Sequence, residues 1–446
     1  MRVISFTSIA AFTSHDSAGL GGAPTPISEV ITDVLRRANA DNSSQRIYTQ
    51  ILDARAAESV ESLRPGPSTP LSGVPVAIKD NIDVEGTPTS CGRRLALGPA
   101  IASAAIVARL ESLGAIIIGK TNLDEAALGA SGRNPRFGRC GNPRFAECLS
   151  GGSSSGSTAA VASGHVLLGV GTDTLGSVRI PAAFCGIAGF KPSHGRLPML
   201  GVAPLFPRFD SVGLLAATVA DVAHVARLLL GDDASHARSL SAAYRVAVLD
   251  DAALAGVATE VARGHRHCVA LLQESLELTG GAAPAIDWTA TARAAFWEVA
   301  HDFAEQSAGR TPGYHALDDI EGELRGLLSR AAGRPAAQLA AGRALLEGSV
   351  AKLEHCLRHA DALLTPTCPQ SAPRIEEDPA QNIAAFTAPA NVAGLPAVAW
   401  TQRLGAESTV SLQLIGRFGE DIRLLELASQ VQRILDRCSA IEPPSA

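Results

Sequence analysis

Residues 150–181, SGGSSSGSTAAVASGHVLLGVGTDTLGSVRIP, decide how the rest of the chain is read. Serine and glycine crowd the first half. A flexible Gly/Ser linker lacks apolar neighbours. Here the glycines run directly into a helical STAAVASG, an apolar HVLLGVG and a core-like VRIPAAFCGIAGF, which argues against a linker. A phosphate cradle would use similar backbone donors ahead of a helix, but no G-x-x-x-x-G-K-[ST] pattern closes here. The reading that fits best is catalytic, with a serine as nucleophile, and a serine needs a base to take its proton.

Histidine is the usual base, yet His165 and His194 stand in no recognisable motif. A desolvated lysine can serve, because burial disfavours the ammonium form and Ser–Lys variants of the triad exist. The candidate is Lys79, which ends the short, β-branched run VPVAIK and is followed by Asp80. That run reads as a buried strand with the lysine at its exit.

Further out, AIIIGK (115–120) reads as another buried strand and SAAIVARLESLG (103–114) as an amphipathic helix closed by Gly114. STAAVASGHVLLGVG reads as a helix running into a strand. DALLTPT and STVSLQLIG have strand character, and EDIRLLELASQVQRIL is a closing helix. This alternation implies an α/β fold: a large, mixed, mostly parallel twisted sheet with helices on both faces. Residues 1–27 read as irregular. Ser28 is the expected cap of a first helix, and IYTQILDARAAESV (47–60) reads as a second. Residues 28–446 are expected to form one domain, with 235–360 a mostly helical insertion covering the substrate. The segment 133–145 repeats NPRF and carries Arg133, Arg136, Arg139 and Arg144. It reads as a solvated basic loop, the alternative being a rim that attracts anionic substrates.

Composition narrows the function classes. With 446 residues of which 46% are hydrophobic, the chain can bury a sizeable core. The balance of 38 Lys+Arg against 44 Asp+Glu gives no electrostatic case for nucleic acid or an anionic membrane. No apolar run approaches a membrane span, and Ser5, Thr7 and Ser8 interrupt the apolar start in a way a secretory leader would not. Eight cysteines without a C-x-x-C pair read as buried thiols in a reducing cytoplasm rather than zinc ligands. His355 and His359 are spaced for metal on a helix but lack a third ligand, and they read as a solvated face, as do His265 and His267. Cys185 reads as a buried thiol.

Taken together, the motifs resemble the amidase signature family. GVPVAIKDNID resembles its lysine motif, SGGSSSGSTAAVASG its Gly/Ser motif and GTDTLGSVRIPAAFCGIAGFKPS its nucleophile motif; GKTNLDE, LLTPT, FTAPANVAGLPA and SLQLIGR match in order. The resemblance implies that Ser177 is the nucleophile, Ser153 a bridging serine after a cis Gly152–Ser153 bond, and Lys79 the base. It implies an oxyanion hole from the backbone N–H groups of Thr174, Leu175, Gly176 and Ser177. Asp173 and Arg179 would brace the loop, Ser154 would hydrogen-bond within the relay, and Ala127, Leu128 and Gly129 would line the substrate. The implied activity is hydrolysis of small or aryl amides, with carbamates included, and no metal or cofactor. The partner is a small-molecule amide or carbamate substrate, with a homodimer as one open assembly.

Two departures from the family stand out. Leu175 and Ser155 stand where glycine is usual; Leu175 keeps its N–H but adds bulk beside the nucleophile. The middle segment, between DSVGLLA and DALLTPT, looks short, which suits an open pocket. The rival readings are a glutaminase subunit of a tRNA-dependent amidotransferase, an allophanate-type hydrolase and a catalytically silent binding protein.

Overall fold

A computed structural model describes residues 8–14, 26–63, 69–93, 98–231, 244–273, 277–279, 283–309, 319–404 and 408–441. Among them one sheet is built from β1 (Tyr48–Ile51), β2 (Pro75–Lys79), β3 (Ile116–Thr121), β4 (Leu168–Asp173), β5 (Ala188–Lys191), β6 (Ser211–Ala216), β7 (Arg245–Val248), β8 (Glu277–Thr279), β9 (Ala362–Pro366), β10 (Ala397–Arg403) and β11 (Thr409–Gly416). Their spatial order is β1-β3-β2-β4-β6-β5-β10-β11-β9-β7-β8. Every residue of β2, β3, β4, β6 and β9 is buried, so both faces of the sheet are covered, as their apolar sequences require.

The sheet is mixed, but the expectation of a mostly parallel one needs correction. β2 pairs parallel with β3 and β4, and β7 with β8 and β9. The ladders β1–β3, β4–β6, β5–β6, β5–β10, β10–β11 and β9–β11 are antiparallel. β6 returns between β4 and β5, and β10 and β11 are separated by a hairpin-length connection, which can join only antiparallel strands.

Other local expectations shift as well. The stretch at 47–60 divides into the edge strand β1 and a helix at Asp53–Ser62. Pairing with β3 overrides the helical pattern, because Tyr48 and Ile51 suit a pleated surface. The first long helix begins at Ile27 after Pro26, so Ser28 lies inside its first turn rather than capping it. Within the stretch expected to be irregular, Ile9–Ser14 is a helix whose buried Ile9 donates its N–H to Asp221 Oδ1 at 2.7 Å; residues 1–7 and 15–25 lie outside the described residues. Residues 235–360 are not only helical: they supply β7 and β8, which extend the sheet. Among their helices, Trp288–Ala308 carries Ala295, Val299 and Phe303 into one apolar cluster with Phe206, Phe209 and Leu175. No described helix is long and apolar enough to cross a membrane.

Candidate active site

Strand register sets the site. β2 and β4 are parallel neighbours, with Ile78 opposite Val170, so their carboxyl ends lie side by side. That end of a parallel pair is where α/β folds place ligands. Lys79 closes β2 and Thr172 and Asp173 close β4. Lys79 Nζ lies 2.8 Å from Ser153 Oγ, 2.9 Å from Thr172 Oγ1 and 3.4 Å from the Thr172 carbonyl. Thr172 Oγ1 also accepts from Asn81 Nδ2 at 3.0 Å.

Burial lowers the Lys79 pKa to about 7, against the opposing pull of the Asp124, Asp173 and Asp210 carboxylates. The adjacent Asp80 does not serve as counterion to Lys79. Its carboxylate is held by Lys120 Nζ at 2.8 Å and Ser90 Oγ at 2.5 Å, all buried. A neutral amine has two N–H donors and one lone pair. Its two donors match the two Thr172 oxygens, and the lone pair is left for the Ser153 hydroxyl.

The two serine segments meet through backbone. Ser154 donates its N–H to the Ser177 carbonyl at 3.0 Å and its hydroxyl to the Thr172 carbonyl at 3.2 Å. Ser154 thus fastens the nucleophile loop to β4, a different use from the relay contact expected of it. The Gly152–Ser153 peptide is cis. Ser153 is wholly buried whereas Ser177 retains 9% exposure, so Ser177 is the hydroxyl a substrate can reach.

The loop carrying Ser177 is wired to Asp173. Gly176 N–H donates to Asp173 Oδ1 at 2.8 Å, and Val178 N–H to Oδ2 at 3.1 Å. Arg179 adds a fork to both carboxylate oxygens at 3.0 and 2.8 Å, and this cation with its hydrogen bonds holds Asp173 well below the ordinary carboxylate range. Arg179 reaches on to the Thr387 carbonyl, Gln413 and Asn391. Asn391 Nδ2 returns to the Asp173 carbonyl at 3.0 Å, and Thr387 Oγ1 donates to the Leu175 carbonyl at 2.6 Å. Gly176 spends its N–H on Asp173, so the donors of this loop without a partner among the described residues are Thr174, Leu175 and Ser177. Gly176 sits at φ 129°, a backbone region open to glycine.

Leu175 and Leu128, with Trp297, are half-buried against the cluster that contains Phe206, Phe209 and Phe303. Ala127 is buried and Gly129 exposed. Ala126 and Ala127 hold φ of 57° and 60°, conformations costly for non-glycine residues and found where function constrains the chain.

Sequence reasoning missed Thr172, Asn81, Lys120, Asp124, Asn391 and Thr387. Asp124 and Asn391 lie inside motifs matched as a whole, GKTNLDE and FTAPANVAGLPA, but nothing in the pattern gives them a task. His265 is buried rather than on a solvated face, and burial lowers its pKa to about 4. His355 and His359 are exposed, with rings 5.0 Å apart, and no described group of three His, Cys, Asp or Glu could hold a metal ion. All eight cysteines are free, and Cys185 is buried with its pKa raised by burial.

The Amidase family profile matches residues 29–279 and 318–425. A glutamyl-tRNA(Gln) amidotransferase subunit from Symbiobacterium thermophilum is 33% identical over 409 residues, covering 82% of this chain and 83% of that protein. The indoleacetamide hydrolase of Pseudomonas syringae pv. syringae is 38% identical over 325 residues, covering 69% and 72%. A solved amidase structure superposes with a TM-score of 0.83 at 28% identity, covering 96% of this chain and all of that one. The peptide amidase of Stenotrophomonas maltophilia does so at 0.78 and 25%, covering 96% and 97%. On this profile, these relatives and the sheet they share, the chain belongs to the amidase signature family of hydrolases, enzymes acting on carbon–nitrogen bonds.

Proposed function

We propose that the protein is a serine amidase for aryl and other apolar amides, with aryl carbamates as a second class attacked at the same carbonyl. The observation that carries this reading is that Leu175, two residues before Ser177, and Leu128 pack on one apolar cluster that contains Phe206, Phe209 and Phe303. Such a surface favours a flat, apolar group over a charged amino acid. Similarity to indoleacetamide hydrolases supports it. The middle segment acts in this reading as the cover of the pocket, through the helix Trp288–Ala308.

The mechanism in this reading starts from the contact of the buried Lys79 amine with the Ser153 hydroxyl. Neutral Lys79 accepts the Ser153 proton, and Ser153 accepts the Ser177 proton as Ser177 Oγ attacks the carbonyl carbon. The carbonyl electron pair moves onto oxygen, where the free N–H groups of Thr174, Leu175 and Ser177 stabilise it, each such donor being worth about 2.7–4 kcal/mol in related sites. The proton then returns through Ser153 to the leaving nitrogen as the C–N bond breaks. Water repeats the sequence on the acyl-enzyme and frees Ser177.

The test is a panel of arylacetamides, p-nitroanilides, aryl carbamates and glutamine, run on the native protein and on Ser177→Ala. Hydrolysis of the aryl substrates that disappears in the variant is the expected result. Turnover of glutamine alone would replace this reading with that of an amidotransferase component. No turnover, together with no labelling of Ser177 by a fluorophosphonate, would leave a silent binding protein.

A further inference from the structure

One buried carboxylate near the site has no role in the steps above. Asp124 follows β3, is fully buried and makes no ion pair among the described residues. It lies between two glycines: a Cβ at Gly152 would overlap its Oδ1, and one at Gly129 would overlap its Oδ2. Its oxygens accept the Ser131 N–H and Ser131 hydroxyl, each at 3.0 Å, and the Gly132 N–H at 3.0 Å. Gly132 in turn packs so closely on Ser150 and Gly151 that a Cβ there would strike the Ser150 hydroxyl and the Gly151 carbonyl. One side chain, three residues beyond β3, therefore touches Gly129, the turn at 131–132 and the glycine that precedes Ser153.

We propose that Asp124 is a positioning residue of the hydrolysis, clasping the 129–132 turn to the Gly152–Ser153 segment and setting the basicity of the Lys79 amine through its charge. The inference rests on the reading of Lys79 as the base. The groups that face Lys79 are the carboxylates of Asp124, Asp173 and Asp210 and the Cys91 thiol. Asp173 is neutralised by Arg179. Asp210 is capped by the Thr174 hydroxyl and the N–H groups of Leu205 and Phe206. Asp124, like Asp210, is capped only by neutral donors; it is the foremost carboxylate acting on the amine and the one that also bridges the 129–132 turn and Gly152. The effect opposes burial: it favours the ammonium form and keeps Lys79 a stronger base than desolvation alone would leave.

Asp124→Asn keeps the shape and removes the charge. Lys79 should then lose its proton at lower pH, moving the acid limb of kcat/KM down by about one pH unit. The variant-to-native ratio of kcat/KM should be about tenfold larger at pH 5.5 than at pH 8.5, because one unit on a limb of unit slope is a tenfold change. A role in structure alone would lower the rate equally at both. Ser131→Ala, which removes one donor to the carboxylate and raises its own titration range, should move the ratio in the same direction by a smaller factor, and it decides the matter if Asp124→Asn does not fold. A ratio independent of pH in the folded variant overturns the proposal. Should native protein lack an acid limb near pH 7, or Lys79→Ala retain full activity, the reading of Lys79 as base fails instead; a sound native limb with a flat ratio sinks the role of Asp124 alone.

Discussion

Thr172 offers a sharp test of the relay, because its hydroxyl is one of two close partners of the Lys79 amine. Thr172→Val keeps the volume and the β-branching while removing that oxygen. The carbonyl of residue 172 remains, but at 3.4 Å it is a weak anchor. Asn81 Nδ2 loses its acceptor as well. Losing a hydrogen bond to a group that becomes charged in the transition state costs about 1.5–3 kcal/mol. At 1.36 kcal/mol per tenfold, that is a fall in kcat/KM of roughly 10- to 150-fold. The amine also loses an acceptor that favours its protonated form, so the acid limb should move below its native position. The assay is a pH series of kcat/KM on a chromogenic amide, with a thermal melt to show that the variant folds. A folded Thr172→Val within twofold of native across the series would refute the claim that Thr172 orients the amine.

Other outcomes follow from the same geometry. Because Lys79 must be neutral to act and its pKa is lowered by burial to about 7, kcat/KM should fall tenfold per unit below that pH and level off above it; a rate flat from pH 5 to 8 would contradict it. Lys79→Ala should lose about 10²–10⁴ in rate if general-base action is its task. Lys120→Met leaves Asp80 buried without its cation and should cost about 3–5 kcal/mol in urea unfolding, whereas an unchanged midpoint would show that Asp80 finds another partner.

How much of this was legible in the sequence depended on what each residue type can signal. Lys79 was legible as a lysine ending a buried strand, whereas Ser153 and Ser177 were picked out from the other serines only by the resemblance of their motifs to those of the amidase signature family. Thr172 was not: a threonine in a strand is a common β-branched residue, and only the register of β2 against β4 turns its hydroxyl into a ligand of the amine. The task of Asp80 was not legible either. It stands next to Lys79 in sequence, while in the fold Lys120, brought in by β3, holds its carboxylate.

The doubled NPRF drew attention as charge, yet its asparagines do the structural work. Asn134 Oδ1 accepts the N–H groups of Arg136 and Phe137, and Asn142 Oδ1 those of Arg144 and Phe145, giving two copies of one side-chain-capped turn. Each arginine then lies over the following ring, at 5.3 and 5.5 Å, and Arg133 pairs with Asp378. The strand β1 and the return of β6 escaped for another reason. Four residues carry too little periodicity to be told from a helix turn, and the direction of a strand is a property of its neighbours.

The fork of Arg179 has a consequence for how the chain acquires its activity. The loop that presents Ser177 is held by partners at Thr387, Asn391 and Gln413, more than two hundred positions later. A nascent chain can bring together β2 to β4 and the local Asp173 contacts of the nucleophile loop, yet Arg179 gains its remaining three partners only when the last strands have emerged. The late arrival of those partners couples the finished nucleophile loop to completion of the sheet, and fragments split between β9 and the Thr387 segment are expected to gain turnover on mixing.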